Sequence, residues 1–136
     1  MKPITHYVLL LAVCILICAA APLQEPATTV PVGQDGVQRI EVIGGSYFFK
    51  PSHIVVKVNT PVELVVSKES GFTPHDIVAG SPDAGIDFKV DLSSTPKVIR
   101  FVPIKVGVYP VYCDKKAPFS KSHKEKGMEG IIEVVP

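Results

Sequence analysis

The sequence predicts an all-β sandwich of seven or eight short strands. Three observations from Val37 onward carry that prediction. Apolar residues recur with a period of two, Gly, Pro and Ser clusters interrupt them at short intervals, and no segment holds a helical repeat. Gln38 to Ile43 alternates, with Ile40 and Val42 on one face. Tyr47-Phe48-Phe49 runs into Lys50-Pro51, which breaks it. Ile54, Val56 and Val58 alternate with Val55 and Lys57, and Asn59-Thr60-Pro61 turns the chain. Val62, Leu64 and Val66 follow, with Glu63 and Ser67 opposite. Phe88 to Leu92, Lys97 to Phe101, Val108 to Cys113 and Gly130 to Val135 complete the set. Such spacing predicts antiparallel sheets. Pro110 has no N–H to give a ladder, so it belongs at an edge or bulge. Gly80 to Gly85 is expected to be loop.

With 136 residues the chain holds one domain at most. Residues 1–21 are expected to be a secretory signal peptide. Met1-Lys2 opens a short cationic region, and Tyr7 to Ala21 is apolar. Those fifteen residues would span about 22 Å as a helix, short of the roughly 30 Å core of a bilayer. A membrane anchor is the lesser alternative, and no stable span is expected after cleavage. Residues 22–36 carry three prolines and no periodicity, and are expected to form a flexible linker. The folded domain is expected over 37–136, in the periplasm or outside the cell.

Composition excludes some function classes. The chain has 14 Lys and Arg against 13 Asp and Glu, and losing Lys2 with the leader balances them. No global nucleic-acid or membrane-surface character follows. Charge is local instead: Lys115, Lys116, Lys121, Lys124 and Lys126 all fall between Cys113 and Met128. They form a solvated surface, or steer an acidic redox partner.

Cleavage also removes Cys14 and Cys18, leaving Cys113 as the one thiol. A lone thiol in an oxidising compartment is a core residue, an intermolecular disulfide or a ligand. Its company decides for ligand. Tyr109, Val111 and Cys113 share one strand face, so Cys113 enters the interior at the strand end. His75 lies in Thr73-Pro74-His75-Asp76-Ile77-Val78, and His123 and Met128 follow Cys113. His53 has no such context and is expected at the surface. Two imidazoles, a thiolate and a thioether form the donor set of a single-copper electron-transfer site, with His75, Cys113 and His123 near one plane and Met128 axial. Zinc is a poorer match, because a thioether is a weak zinc ligand. Nothing in this pattern demands an enzyme.

The same residues resemble those of the cupredoxins, the family of plastocyanin, azurin and amicyanin, over most of the chain after Val37. Gly107-Val108-Tyr109-Pro110-Val111-Tyr112-Cys113 resembles the strand before the ligand cysteine. Pro74-His75-Asp76-Ile77-Val78 resembles the first-histidine motif, with Asp76 where Asn is frequent. His123 and Met128 match the family's spacing, and Gly127 to Val134 resembles its last strand. The resemblance implies a Greek-key sandwich with one copper ion at one end and electron transfer as its work. The single cysteine excludes the paired-cysteine binuclear centre of cytochrome oxidase subunit II.

Two features depart from the pattern. Nine residues separate Cys113 from His123, more than in familiar single-copper carriers. Closure of such a loop is inexpensive, about 0.6 kcal/mol per doubling of length. A looser site follows as an expectation, in which Glu125, Glu129 or Asp76 competes with Met128 for the fourth position. Asp76 in place of Asn also alters the hydrogen bonding between ligand loops. A Cu(I) chaperone or storage module is the alternative function, and a metal-free binding domain a third.

Overall fold

A computed structural model describes residues 25–136. The predicted signal peptide, with Cys14, Cys18 and the cleavage point, lies outside the described residues. Among the described residues, ten strands form two facing sheets. They are β1 (Thr28–Thr29), β2 (Gln38–Gly44), β3 (Phe49–Lys50), β4 (His53–Lys57), β5 (Val62–Lys68), β6 (Asp76–Ser81), β7 (Ile86–Asp91), β8 (Lys97–Phe101), β9 (Gly107–Tyr112) and β10 (Glu129–Val135). The larger sheet runs β1-β4-β10-β9-β6-β7 and the smaller β3-β2-β5-β8. Alternation places Val42, Ile54, Val56, Val62, Leu64, Val66, Ile132 and Val134 between them, as the period-two pattern requires.

The all-β sandwich is borne out, with more strands than expected and a different pairing. The sheets are mixed. β2 pairs with β5 in parallel, and so does β4 with both β1 and β10. The reason is connectivity. The chain leaves the smaller sheet after β3, lays β4 in the larger, and returns for β5. β2 and β5 therefore enter their shared sheet in the same direction.

Two further corrections concern strands that were not anticipated. Thr28–Thr29, inside the expected flexible linker, extends the larger sheet beside β4, and Val30 is buried while its N–H donates to the Val55 carbonyl at 2.9 Å. The packed structure thus begins well before Val37. Gly80 and Ser81, expected as loop, end β6, which pairs along its whole length with β7. Pro110 behaves as predicted. The ladder between β9 and β6 is registered only at Val78–Tyr112, so at Pro110 the strand has β10 as its registered neighbour.

Candidate metal centre

Both strand periodicity and backbone hydrogen bonds deliver Cys113 to one end of the sandwich. Val111 and Cys113 are buried, and Tyr109 packs half-buried against the same core. The Cys113 N–H donates to the Met128 carbonyl at 3.0 Å, one step beyond the β9–β10 ladder. His75 sits immediately before β6, and its carbonyl accepts the Leu92 N–H at 2.9 Å at the end of β7. The expected first histidine is therefore clamped between two strands rather than carried on an open loop.

The long Cys113–His123 separation closes on itself. The His123 N–H donates to the Lys115 carbonyl at 2.9 Å, and Lys116 bridges Ser122. Residues 116–122 thus form a pinched excursion. Its Ala117-Pro118-Phe119-Ser120 turn carries Phe119 with φ 58° and its ring fully in solvent. Closure at Lys115–His123 makes the distance between the ligand positions independent of the excursion's length. The expected looseness is not what the structure shows.

His123 then opens a single 3-10 turn, Lys124–Lys126. Ser122 and Glu125 cap it reciprocally. The Glu125 carboxylate accepts the Ser122 N–H and O–H, each at 2.7 Å, while Ser122 Oγ accepts the Glu125 N–H at 3.2 Å. Gly127 takes φ 99°, the left-handed region a glycine enters without strain, and the Met128 N–H reaches the His123 carbonyl at 3.0 Å. His123 and Met128 are thereby fixed side by side, and Met128 is completely buried.

The three predicted nitrogen and thiol donors converge. His75 Nδ1 and His123 Nδ1 lie 3.1 Å apart, and Cys113 Sγ stands 3.5 Å from His123 Nδ1 and 3.9 Å from His75 Nδ1. Typical bonds of about 2.0 Å to nitrogen and about 2.3 Å to sulfur allow donors on one ion to be at most about 4.3 Å apart. All three separations fit. Among the described residues, this is the one group of His, Cys, Asp and Glu side chains close enough to share an ion. Glu125, Glu129 and Asp76 are outside it. Glu125 is committed to Ser122, and Asp76 to the Asp114 N–H at 2.7 Å. His53 is also elsewhere, paired with Glu133 at 2.7 Å.

Burial sets the protonation states. Desolvation holds His75 below its ordinary 6.5, helped by the positive charge of His123 and Lys68, and it lowers His123 likewise, with Lys126 adding. Desolvation pushes the Cys113 thiol above its ordinary 9.0. Near neutral pH the imidazoles are free to ligate, and the thiol surrenders its proton only to a metal.

No protein-family model and no curated protein matches the sequence. Solved structures do. The metal-binding domain of the Streptococcus pneumoniae Cu(I)-exporting P-type ATPase CopA, determined with Cu(I), superposes with a TM-score of 0.63 at 18% identity, covering 82% of this chain and 97% of that one. Reduced auracyanin from Roseiflexus castenholzii gives 0.59 at 18% identity, over 72% and 97%. The periplasmic domain of cytochrome oxidase subunit II from Bradyrhizobium japonicum gives 0.55 at 17% identity, over 71% and 83%. The fold is a cupredoxin fold. Cys113 is the one cysteine among the described residues.

Two residues at this end of the sandwich were not recognised from sequence. Tyr47, at φ 65°, turns its ring edge-on to His123 at 5.0 Å and to His75 at 6.2 Å between centroids. Lys126 in turn lies 4.5 Å over the Tyr47 ring and donates to its hydroxyl at 3.3 Å. Gly44 closes β2 where there is no room for a side chain. A Cβ there would lie 2.6 Å from Leu92 Cδ1 and 3.2 Å from Met128 Cε. Gly44→Ala is therefore expected to destabilise the metal-free domain by about 1–3 kcal/mol through overpacking, and to displace Met128. Denaturant unfolding checks the first effect. The second predicts a changed spectrum of the metal-loaded variant.

Proposed function

We propose that this domain carries electrons outside the cytoplasm on one copper ion that His75, Cys113 and His123 would hold, with the Met128 sulfur as a fourth donor. The observation behind the reading is the convergence of two imidazole nitrogens and one thiol in a buried pocket. Thiolate and thioether together suit copper, and the thioether is a poor zinc ligand. Glu125, Glu129 and Asp76 lie outside the converging group, whereas Met128 is buried and hydrogen-bonded through its backbone to both Cys113 and His123.

Copper, when bound, supplies a one-electron couple. The protein's share is to hold the donors still. Cys113 is fixed by the Met128 carbonyl and receives the Asp76 N–H at 3.4 Å, and His75 and His123 are held through their backbones. Donors that do not move on oxidation or reduction add little reorganisation to the transfer. The Tyr47 ring covers the imidazoles and limits water.

An acidic redox partner fits the lysines around this end. Lys115 is paired with Asp91 at 2.6 Å, and Lys124 lies over the Tyr112 ring at 4.5 Å. Lys116, Lys121, Lys124 and Lys126 are exposed. Charge of one sign near the metal raises encounter rates with a partner of the other. The apolar run from Tyr7 to Ala21 supports export to the periplasm or beyond.

Adding Cu(II) to the purified protein is expected to produce an intense visible thiolate-to-copper band and reversible one-electron cycling. Absence of the band in protein with an unmodified Cys113 sinks the reading. The second reading, Cu(I) delivery, is favoured by the superposition on a Cu(I)-bound exporter domain. It predicts weak Cu(II) binding, tight Cu(I) binding and transfer to a metal-free acceptor.

A further inference from the structure

Asp76 is a carboxylate with no solvent exposure at all, next in sequence to His75. Its Oδ1 accepts the Asp114 N–H at 2.7 Å, joining the segment after Cys113 to the start of β6. Its Oδ2 is buried and has no hydrogen-bond partner among the described residues. Two ammonium groups stand off from that oxygen, Lys115 Nζ at 3.8 Å and Lys89 Nζ at 3.9 Å. Each is closer to a solvent-exposed acid, Lys115 to Asp91 at 2.6 Å and Lys89 to Asp114 at 2.7 Å. The lysines thus screen Asp76 without binding it. A buried carboxylate oxygen left in this way is costly unless a positive charge compensates it.

The metal pocket is the neighbouring place where positive charge appears. A thiolate and two neutral imidazoles leave Cu(II) with one net positive charge and Cu(I) with none. A fixed negative charge beside them therefore favours the oxidised ion. We infer that Asp76 is a positioning residue that acts as a built-in counter-charge to the metal. It ties the two ligand segments together through Oδ1 and lowers the reduction potential through Oδ2, and Lys89 and Lys115 set how much of its charge the metal feels. The inference rests on the copper reading above.

Asp76→Asn separates the two roles, since its side-chain oxygen can still accept the Asp114 N–H while the charge is gone. Wild type, Asp76→Asn, Lys89→Gln and Lys115→Gln are each loaded with copper. Their spectra, Cu(I) and Cu(II) affinities and midpoint potentials are then compared. All four are expected to keep the thiolate band. In Asp76→Asn the ratio of Cu(I) to Cu(II) affinity should rise at least tenfold, an upward shift of about 59 mV for a one-electron couple. The two lysine variants should move the potential down. Asp76→Asn with an intact band and a ratio within twofold of wild type overturns the inference, as does an upward shift in the lysine variants. If Asp76→Asn does not fold, the lysine variants decide. A wild type that takes up no copper removes the copper reading and this inference with it, an outcome distinct from equal potentials in loaded proteins.

Discussion

Cys113→Ser is expected to abolish the visible charge-transfer band and to weaken metal binding by more than the ~10–100-fold typical of losing an outer hydrogen-bond partner. The thiolate is the donor that makes the band and the softest ligand of the set. The metal-free domain should change far less. Serine is close in size, and its oxygen can still accept the Asp76 N–H that approaches Cys113 Sγ at 3.4 Å. Burying its hydroxyl costs about 1–3 kcal/mol on the scale of core substitutions. Two melting curves per protein check this. At a free copper concentration of 100 Kd the wild type should gain about 2.7 kcal/mol on metal addition, and a variant that binds more than a hundredfold more weakly should gain less than about 0.4 kcal/mol at the same concentration. A band that survives in Cys113→Ser removes the proposed ligand set, because no other cysteine is found among the described residues.

The sandwich was legible because its central strands alternate strictly. β2 and β5 turn every second residue inward, buried at all such positions except Ile40 and Lys68, which are half-buried, and the pattern is visible without a partner strand. β1 and β6 were hidden for a physical reason. Thr28–Thr29 lies among prolines and is a strand only because β4 offers an edge, and Gly80 and Ser81 extend β6 only because β7 returns beside them. Such pairing is tertiary, and local propensity does not encode it. The same division holds at the metal centre. Residue types and the His123–Met128 spacing identified the donors that converge. The Cys113–His123 count misled, because chain length says nothing of the Lys115–His123 hydrogen bond that pinches the excursion shut. One readable signal was passed over. Ser122-His123-Lys124-Glu125 has the form of a capping box, which commits Glu125 to the backbone and argues against it as a ligand. Tyr47 left no such trace, since its position comes from a left-handed turn at a non-glycine residue.

Acidification is expected to release the metal steeply, with two slopes that separate the thiol from the pair of imidazoles. His75 and His123 titrate below 6.5 because burial disfavours their charged forms, and Cys113 titrates above 9.0 for the same reason. Between these values the metal displaces one proton, from the thiol. Apparent affinity should then rise tenfold per pH unit, with one proton released per ion bound. Once pH falls below the lowered histidine values, two more protons compete and the slope should steepen toward a thousandfold per unit. The metal-free domain obeys the same linkage with smaller amplitude. A histidine lowered on folding contributes stability that is present above 6.5 and lost as pH falls through its folded value. A thiol raised on folding contributes stability that is present below 9.0 and lost as pH rises through its folded value. Denaturant midpoints should therefore be flat between about pH 6.5 and pH 9 and decline on both sides. Proton release measured in weakly buffered solution at pH 7.5 is the decisive reading. One proton per metal supports a buried thiol ligand beside neutral imidazoles, and none means that Cys113 does not bind the ion.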